Sequence, residues 1–250
     1  MAVLLEGGCR VTGFKDGEPL IDGTVSVWSQ IGRANGASAI SLRTMEFLQG
    51  LSPLFRHLES DEILYVLQGS ATILINDYAY SVEPETGIYI GPGETFTINN
   101  PNSEPLILIS SQCPESPTTD IFLPSAQPAT NRPHRPRIVR LSDRQAVPTA
   151  DRWYRVLVDE DVGSKQATQF VGSIPPGRAP DHFHNYEEVL FILRGVGRMW
   201  AGTTHTPIAF GSCIYLPKGQ VHCVENTGDG ELRLLGVFYP AGSPSVRYDV

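Results

Sequence analysis

The stretch "APDHFHNYEEV", Ala179 to Val189, sets two histidines one residue apart with two glutamates close behind, in a chain that has only six histidines. On an extended strand residues i and i+2 face the same way, so His182 and His184 project side by side. Two imidazoles at that spacing can grip one metal ion. An isolated pair of this kind also arises by chance in ordinary loops and strands. The metal reading therefore depends on whether other segments supply further ligands.

The elements that must position these residues read as strands. Gly 24 and Pro 20 punctuate the chain heavily. Between them lie short runs rich in Ile, Val, Leu and Tyr, such as "ATILIN", "GIYIGP", "LILISS", "VLFILRG", "CIYLPKG" and "LRLLGVFY". Turn signals ("INDY", "GPGE", "ENTGDG", "PAGSP") separate them. Many short strands at regular spacing predict an all-β sandwich or barrel. Sustained helical periodicity is nearly absent, and "SDRQAV" predicts one helical turn capped by Ser142.

The chain also repeats itself. "GLSPLFRHLESDEILYVLQG" (Gly50 to Gly69) aligns with "GRAPDHFHNYEEVLFILRG" (Gly177 to Gly195). His57 faces His184, and after one inserted residue Glu62 faces Glu188, Tyr65 faces Phe191 and Gly69 faces Gly195. Further on, "IYIGPGETFTINN" aligns with "IYLPKGQVHCVEN" at almost the same displacement. Two copies of one β domain follow, residues 1–112 and 138–250. The Pro-rich stretch 113–137 reads as an extended connector, with His134 solvent-exposed among its prolines.

Bulk properties narrow the partners. The 250 residues suit two domains of this size, and 41% hydrophobic with 18% charged residues is ordinary for a globular chain. A net charge of −8 argues against nucleic acid and against anionic membrane surfaces. No apolar run approaches the roughly 18 residues of a spanning helix, and "MAVLLEGGCRVTG" lacks the regions of a secretory signal. Cys9, Cys113, Cys213 and Cys223 form no paired motif, so free thiols in a reducing cytoplasm are expected.

The second copy carries Gly177, His182, His184, Glu188 and Gly195. Its second block runs Gly211, five residues, Pro217, Lys218, Gly219, two residues, His222, three residues, Asn226. This resembles the cupin superfamily. The family's second signature is matched at every position. The first departs only in having four residues instead of five between Gly177 and His182. The resemblance covers both halves and implies an all-β bicupin: two tandem jelly-roll barrels, with one divalent transition metal (Fe, Mn, Ni, Co, Cu or Zn) held by His182, His184, Glu188 and His222. Such nitrogen and oxygen donors suit a transition ion and leave positions open for substrate, water or O2. Strand parity puts Glu188 with Leu190 and Ile192 on the inward face. Glu187, the alternative ligand, has the other parity and the wrong distance to Gly195. Four polar side chains inside a barrel without a metal would be costly.

In the first copy Phe55 and Phe96 replace two of the four ligands, so that barrel is expected to be metal-free and structural. His57 would then hydrogen-bond to Glu62 or a backbone carbonyl; a pocket for an apolar ligand is the alternative. Weaker candidates near the metal are Tyr186 and Arg198 as catalytic residues and Trp200 beside them. Cys223 is expected to point away, and His205 to be exposed. The resemblance fixes fold and site but not reaction. The leading expectation is a dioxygenase-type oxidoreductase acting on a small organic substrate. The alternatives are a non-redox isomerase, lyase or hydrolase, with Tyr186, Glu187 or Cys213 moving protons, and a non-catalytic binder. Oxalate decarboxylation is disfavoured, because one barrel has lost its ligands and the chain is shorter than those bicupins. Edge-strand pairing in the family implies a homodimer.

Overall fold

The computed structural model describes residues 2–76, 78–116, 120–122, 137–246 and 248–249. The chain is all-β, with its strands in four sheets, two to each barrel. The second barrel pairs an eight-stranded sheet, centred on Glu187–Arg194 and Leu232–Tyr239, with a six-stranded sheet that carries Val196–Ala201, His222–Asn226 and His182–Phe183. The first barrel repeats this plan, with Asp61–Gln68 and Leu106–Cys113 at the centre of its larger sheet.

The central strands read as unbroken apolar runs because both of their faces are covered. Along Glu187–Arg194, Leu190 and Ile192 point into the second barrel with Ile214, Leu216 and Leu234. Val189 and Phe191 point the other way and join Ile63, Tyr65 and Ile109 of the first barrel in one continuous core. That shared core makes the two barrels a single packed unit. Each fully buried Ile, Leu or Phe in it contributes about 1.5–3 kcal/mol.

The sheets do not respect the boundaries read from the repeat. Arg10–Gly13 lies against Ser212–Leu216 and so belongs to the second barrel's sheet, with Val3–Leu4 beyond it. Reciprocally, Ile138–Arg140 pairs with Thr86–Ile90 of the first barrel. The division at 112 and 138 is corrected accordingly: each half lends a strand to the other's exposed edge, where unpaired N–H and C=O groups need partners. The expected connector also contributes Asp120–Phe122, paired with Leu54–Arg56. His134 lies outside the described residues. The turn at "SDRQAV" is a 3-10 turn over Leu141–Asp143 preceded by an extended Arg140; Ser142 Oγ bonds to Asp143 instead of capping. No helix among the described residues is long and apolar enough to cross a membrane.

A reciprocal polar clamp reinforces the shared core. Glu187 accepts backbone hydrogen bonds from Ser38 and Ala39 of the first barrel, both at 2.7 Å, and a further bond from the Tyr215 hydroxyl. Asp61, at the equivalent strand position, accepts from Tyr89 at 3.0 Å and from Gln166 of the second barrel. Both carboxylates tie down the loop that follows a one-turn 3-10 helix, Arg33–Asn35 or Glu160–Val162. Glu187→Ala removes the acceptor for three donors and is expected to cost about 2 kcal/mol or more, whereas Glu187→Gln keeps one oxygen and loses less. Urea unfolding of the two variants tests this, and equal midpoints for Glu187→Ala and wild type would contradict the clamp.

Candidate metal centre

His182 and His222 stand directly opposite each other on paired strands of the six-stranded sheet. His184 follows two residues later on the same side, and Glu188 is the second residue of Glu187–Arg194, a central strand of the facing sheet. The structure brings the three imidazoles together. Their nearest ring nitrogens lie within 4.8 Å of one another, and the ring centroids are 4.5–5.1 Å apart.

The outer nitrogen of each ring is held by backbone. His182 Nδ1 donates to Pro180 O at 3.0 Å, His184 Nδ1 to Val246 O at 3.0 Å and His222 Nδ1 to Gln220 O at 2.8 Å. Three carbonyls thus select one tautomer three times, leaving the Nε2 lone pairs for a metal. Burial, followed by the neighbouring His182, pushes His184 down to about 4 and His222 down to about 3. Both rings are therefore neutral near pH 7, the form that ligates.

Glu188 is 5% exposed and lines the same cavity. Its Oε2 lies 3.7 Å from His184 Nε2, beyond hydrogen-bond length. Burial raises its carboxyl to about 8. A divalent cation among these four groups would supply the positive charge that keeps the carboxylate ionised. The donors present fit such an ion, and the three histidines suffice to hold one.

The first barrel answers the same electrostatic problem differently. Glu62, 1% exposed, receives two contacts from Arg43 Nη2 at 2.7 and 2.8 Å and a hydrogen bond from Ser110 Oγ. His57 Nε2 lies 3.2 Å away, and the Gln112 amide lies against the same ring. Burial pushes the Glu62 carboxyl up, but Arg43 and the hydrogen bonds outweigh it and bring it down to about 2. Phe55 and Phe96 stack at 4.9 Å where the other barrel has His182 and His222. The expected contact between His57 and Glu62 is present; Arg43, the cation that replaces a metal, escaped sequence reading because it lies on a separate strand, Leu42–Phe47.

The weaker candidates fall in different places. Tyr186 stacks on His184 at 4.6 Å and on Phe238 at 4.4 Å, so it steadies a ligand ring. Arg198 is corrected: it lies on the outer face, 3.4 Å from Glu225, because its neighbours Met199 and Ala201 take the inward parity. Trp200 is also outside, bonded to Glu225 and covered by Arg178. Cys223 Sγ meets Arg178 away from the histidines, and His205 is exposed against Trp200. Glu187 and Cys213 face the other barrel.

The cavity beside the histidines has a volume of about 130 Å³. Its walls are mostly apolar, including Tyr154, Phe170, Leu190, Val224 and Leu234, and Arg152 lines it as well. Phe170 is admitted by a glycine: a Cβ on Gly236 would lie 2.3 Å from its ring. Arg152, Tyr154 and Phe170 were not singled out from the sequence, since nothing local marks strands that curl over a distant site.

Comparison with known proteins agrees with this arrangement. The Cupin domain family matches residues 170–238. Auxin-binding protein 1 of Arabidopsis thaliana is 32% identical over 83 residues, which span 29% of this chain and 42% of that protein. An uncharacterized protein of Aquifex aeolicus (strain VF5) is 30% identical over 86 residues, spanning 33% of this chain and 69% of that one. Two variants of Bacillus subtilis oxalate decarboxylase superpose with TM-scores of 0.76 and 0.77 at 17% identity, covering 96% of this chain and 79% of theirs. The chain belongs to the cupin superfamily. It has the bicupin form, two such barrels in one chain.

Two outcomes are expected. Purified wild-type chain should retain about one metal ion; His222→Ala should lose it and His57→Ala should keep it, as read by elemental analysis. Loss of metal in a folded His57→Ala variant would relocate the site. Arg43→Met should strand a buried carboxylate and cost about 3–5 kcal/mol. Glu62 has a depressed folded value, so this contribution is present above the unfolded pKa near 4.3 and fades as pH falls toward 2. The stability gap between wild type and Arg43→Met should therefore narrow between pH 6 and pH 3 in urea titrations.

Proposed function

We propose that the chain is a mononuclear metal-dependent oxidoreductase of the dioxygenase type, with His182, His184, Glu188 and His222 holding a divalent transition metal in the second barrel. The observation that carries this reading is the three Nε2 atoms held together over a mostly apolar cavity. A bound redox-active ion would supply Lewis acidity and electron transfer. Around it, this chain's residues orient the ligand rings through backbone carbonyls, exclude water with aliphatic and aromatic walls, and shape a small organic substrate.

A non-redox isomerase, lyase or hydrolase needs a general acid or base besides the ligands. Among the described residues lining the cavity, no carboxylate accompanies Glu188 and no histidine accompanies the three ligands. Of Tyr186, Glu187 and Cys213, the proton carriers this reading would use, Glu187 and Cys213 lie on the inter-barrel face and Tyr186 is stacked between His184 and Phe238. This favours chemistry at the metal itself. A solved structure described by its Mn(II) centres belongs to the similar Bacillus subtilis oxalate decarboxylase, which supports manganese, with iron, as the first ions to test. The four buried free cysteines support a reducing, cytoplasmic compartment.

A second reading, a non-catalytic small-molecule binder, is favoured by the likeness to a protein named for binding auxin. Oxygen consumption by the Fe- and Mn-loaded chain across a panel of small organic substrates separates the two. Substrate-dependent uptake that vanishes in His184→Ala is expected. Ligand binding without oxygen uptake or anaerobic turnover would establish the binder instead.

A further inference from the structure

One charged side chain in the cavity wall has no part in holding a metal. Arg152 belongs to Arg152–Val158, the last strand but one of the eight-stranded sheet, in a hairpin with the edge strand Val147–Thr149. Alternation puts Tyr154 and Val156 against the second barrel's interior core, and Arg152 shares their parity. Its side chain is only 19% exposed and lines the same cavity as His182, His184 and His222. Its neighbour Asp151 takes the Nε proton at 3.0 Å but is itself 62% exposed. An ion pair at such an exposed site is weak. A guanidinium carries five N–H donors in a rigid fork suited to a carboxylate, and one bond to Asp151 uses only one of them.

We infer that this cavity selects small organic acids, with Arg152 receiving the substrate's carboxylate while its apolar body lies along Tyr154, Phe170, Leu190 and Leu234. This rests on the reading of the second barrel as the substrate site, and it names the substrate class. Among the described lining residues Arg152 is the sole lysine or arginine. That suits a singly charged carboxylate better than a phosphate dianion, which needs more positive charge. The aromatic pair Tyr154 and Phe170, with centroids 6.5 Å apart, makes the wall between suited to a flat hydrocarbon body.

The test uses the full chain loaded with zinc, so that its outcome does not depend on redox chemistry. Phenylacetate and its uncharged isostere phenylacetamide are titrated calorimetrically into wild type, Arg152→Gln and Arg152→Lys, with metal content measured in each. Wild type should prefer the acid by roughly tenfold or more, the scale of a hydrogen-bonded charge pair. Arg152→Gln should lose that preference at unchanged metal content, and Arg152→Lys should keep part of it. An acid preference that survives Arg152→Gln would mean that the metal reads the carboxylate, and would overturn the assignment. Equal binding of acid and amide by wild type, or no binding of the acid, would overturn it too. Acid selectivity in a chain that never consumes oxygen with iron or manganese would instead remove the dioxygenase reading and leave the substrate class standing.

Discussion

Glu62 and Glu188 occupy equivalent places on the central strands of two barrels, each almost wholly removed from water. A buried carboxylate must find positive charge or give up its own. In the first barrel the positive charge is covalent: Arg43 reaches across the intervening strand Leu106–Cys113, whose Ser110 and Gln112 complete the polar shell. In the second barrel the positions matching Arg43, Ser110 and Gln112 in strand register are Phe170, Gly236 and Phe238. No guanidinium can stand there, and Glu188 is left facing three imidazoles. The exchange is reciprocal, since Phe55 and Phe96 take the places of His182 and His222. Each barrel puts aromatic rings where the other puts polar groups, around one carboxylate that both retain.

The remaining architecture serves that contrast. The first barrel, closed by its own ion pair, is a rigid body against which the second is clamped through Glu187 and the shared core. Glu187 and Glu188 are adjacent in the chain but point to opposite faces of the strand. One is pinned to the partner barrel while the other faces the histidines. Backbone from three separate segments, at Pro180, Gln220 and Val246, orients the three rings. The carbonyl of Val246 shows how much of the centre depends on chain far from the histidine pair.

What the sequence made legible is what lies at short, fixed spacing. The His182–His184 pair could be read from local strand geometry, and Glu188 and His222 because they stand at the fixed spacings of the two signatures the chain resembles. The all-β class followed from short apolar runs between turn residues. Interactions without a local signature escaped. Arg43 and Arg152 look like any other arginine until the sheets fold over, whereas Arg198 drew notice only because it lies close in sequence to the histidine pair. The strand exchange was equally hidden. A repeat is found by comparing side-chain patterns, whereas exchange concerns which backbone edge receives which strand.

That exchange has a consequence for how the protein is made. Arg10–Gly13 leaves the ribosome roughly 200 residues ahead of its partner, Ser212–Leu216. At about 5–20 residues per second that is roughly 10–40 s. Through that interval the first barrel can close around Glu62 and Arg43, while Arg10–Gly13 pairs with Val3–Leu4 on one side and leaves its other edge to water. The nascent chain therefore carries this hairpin with one edge unpaired, and the second barrel's larger sheet captures it when Ser212–Leu216 arrives.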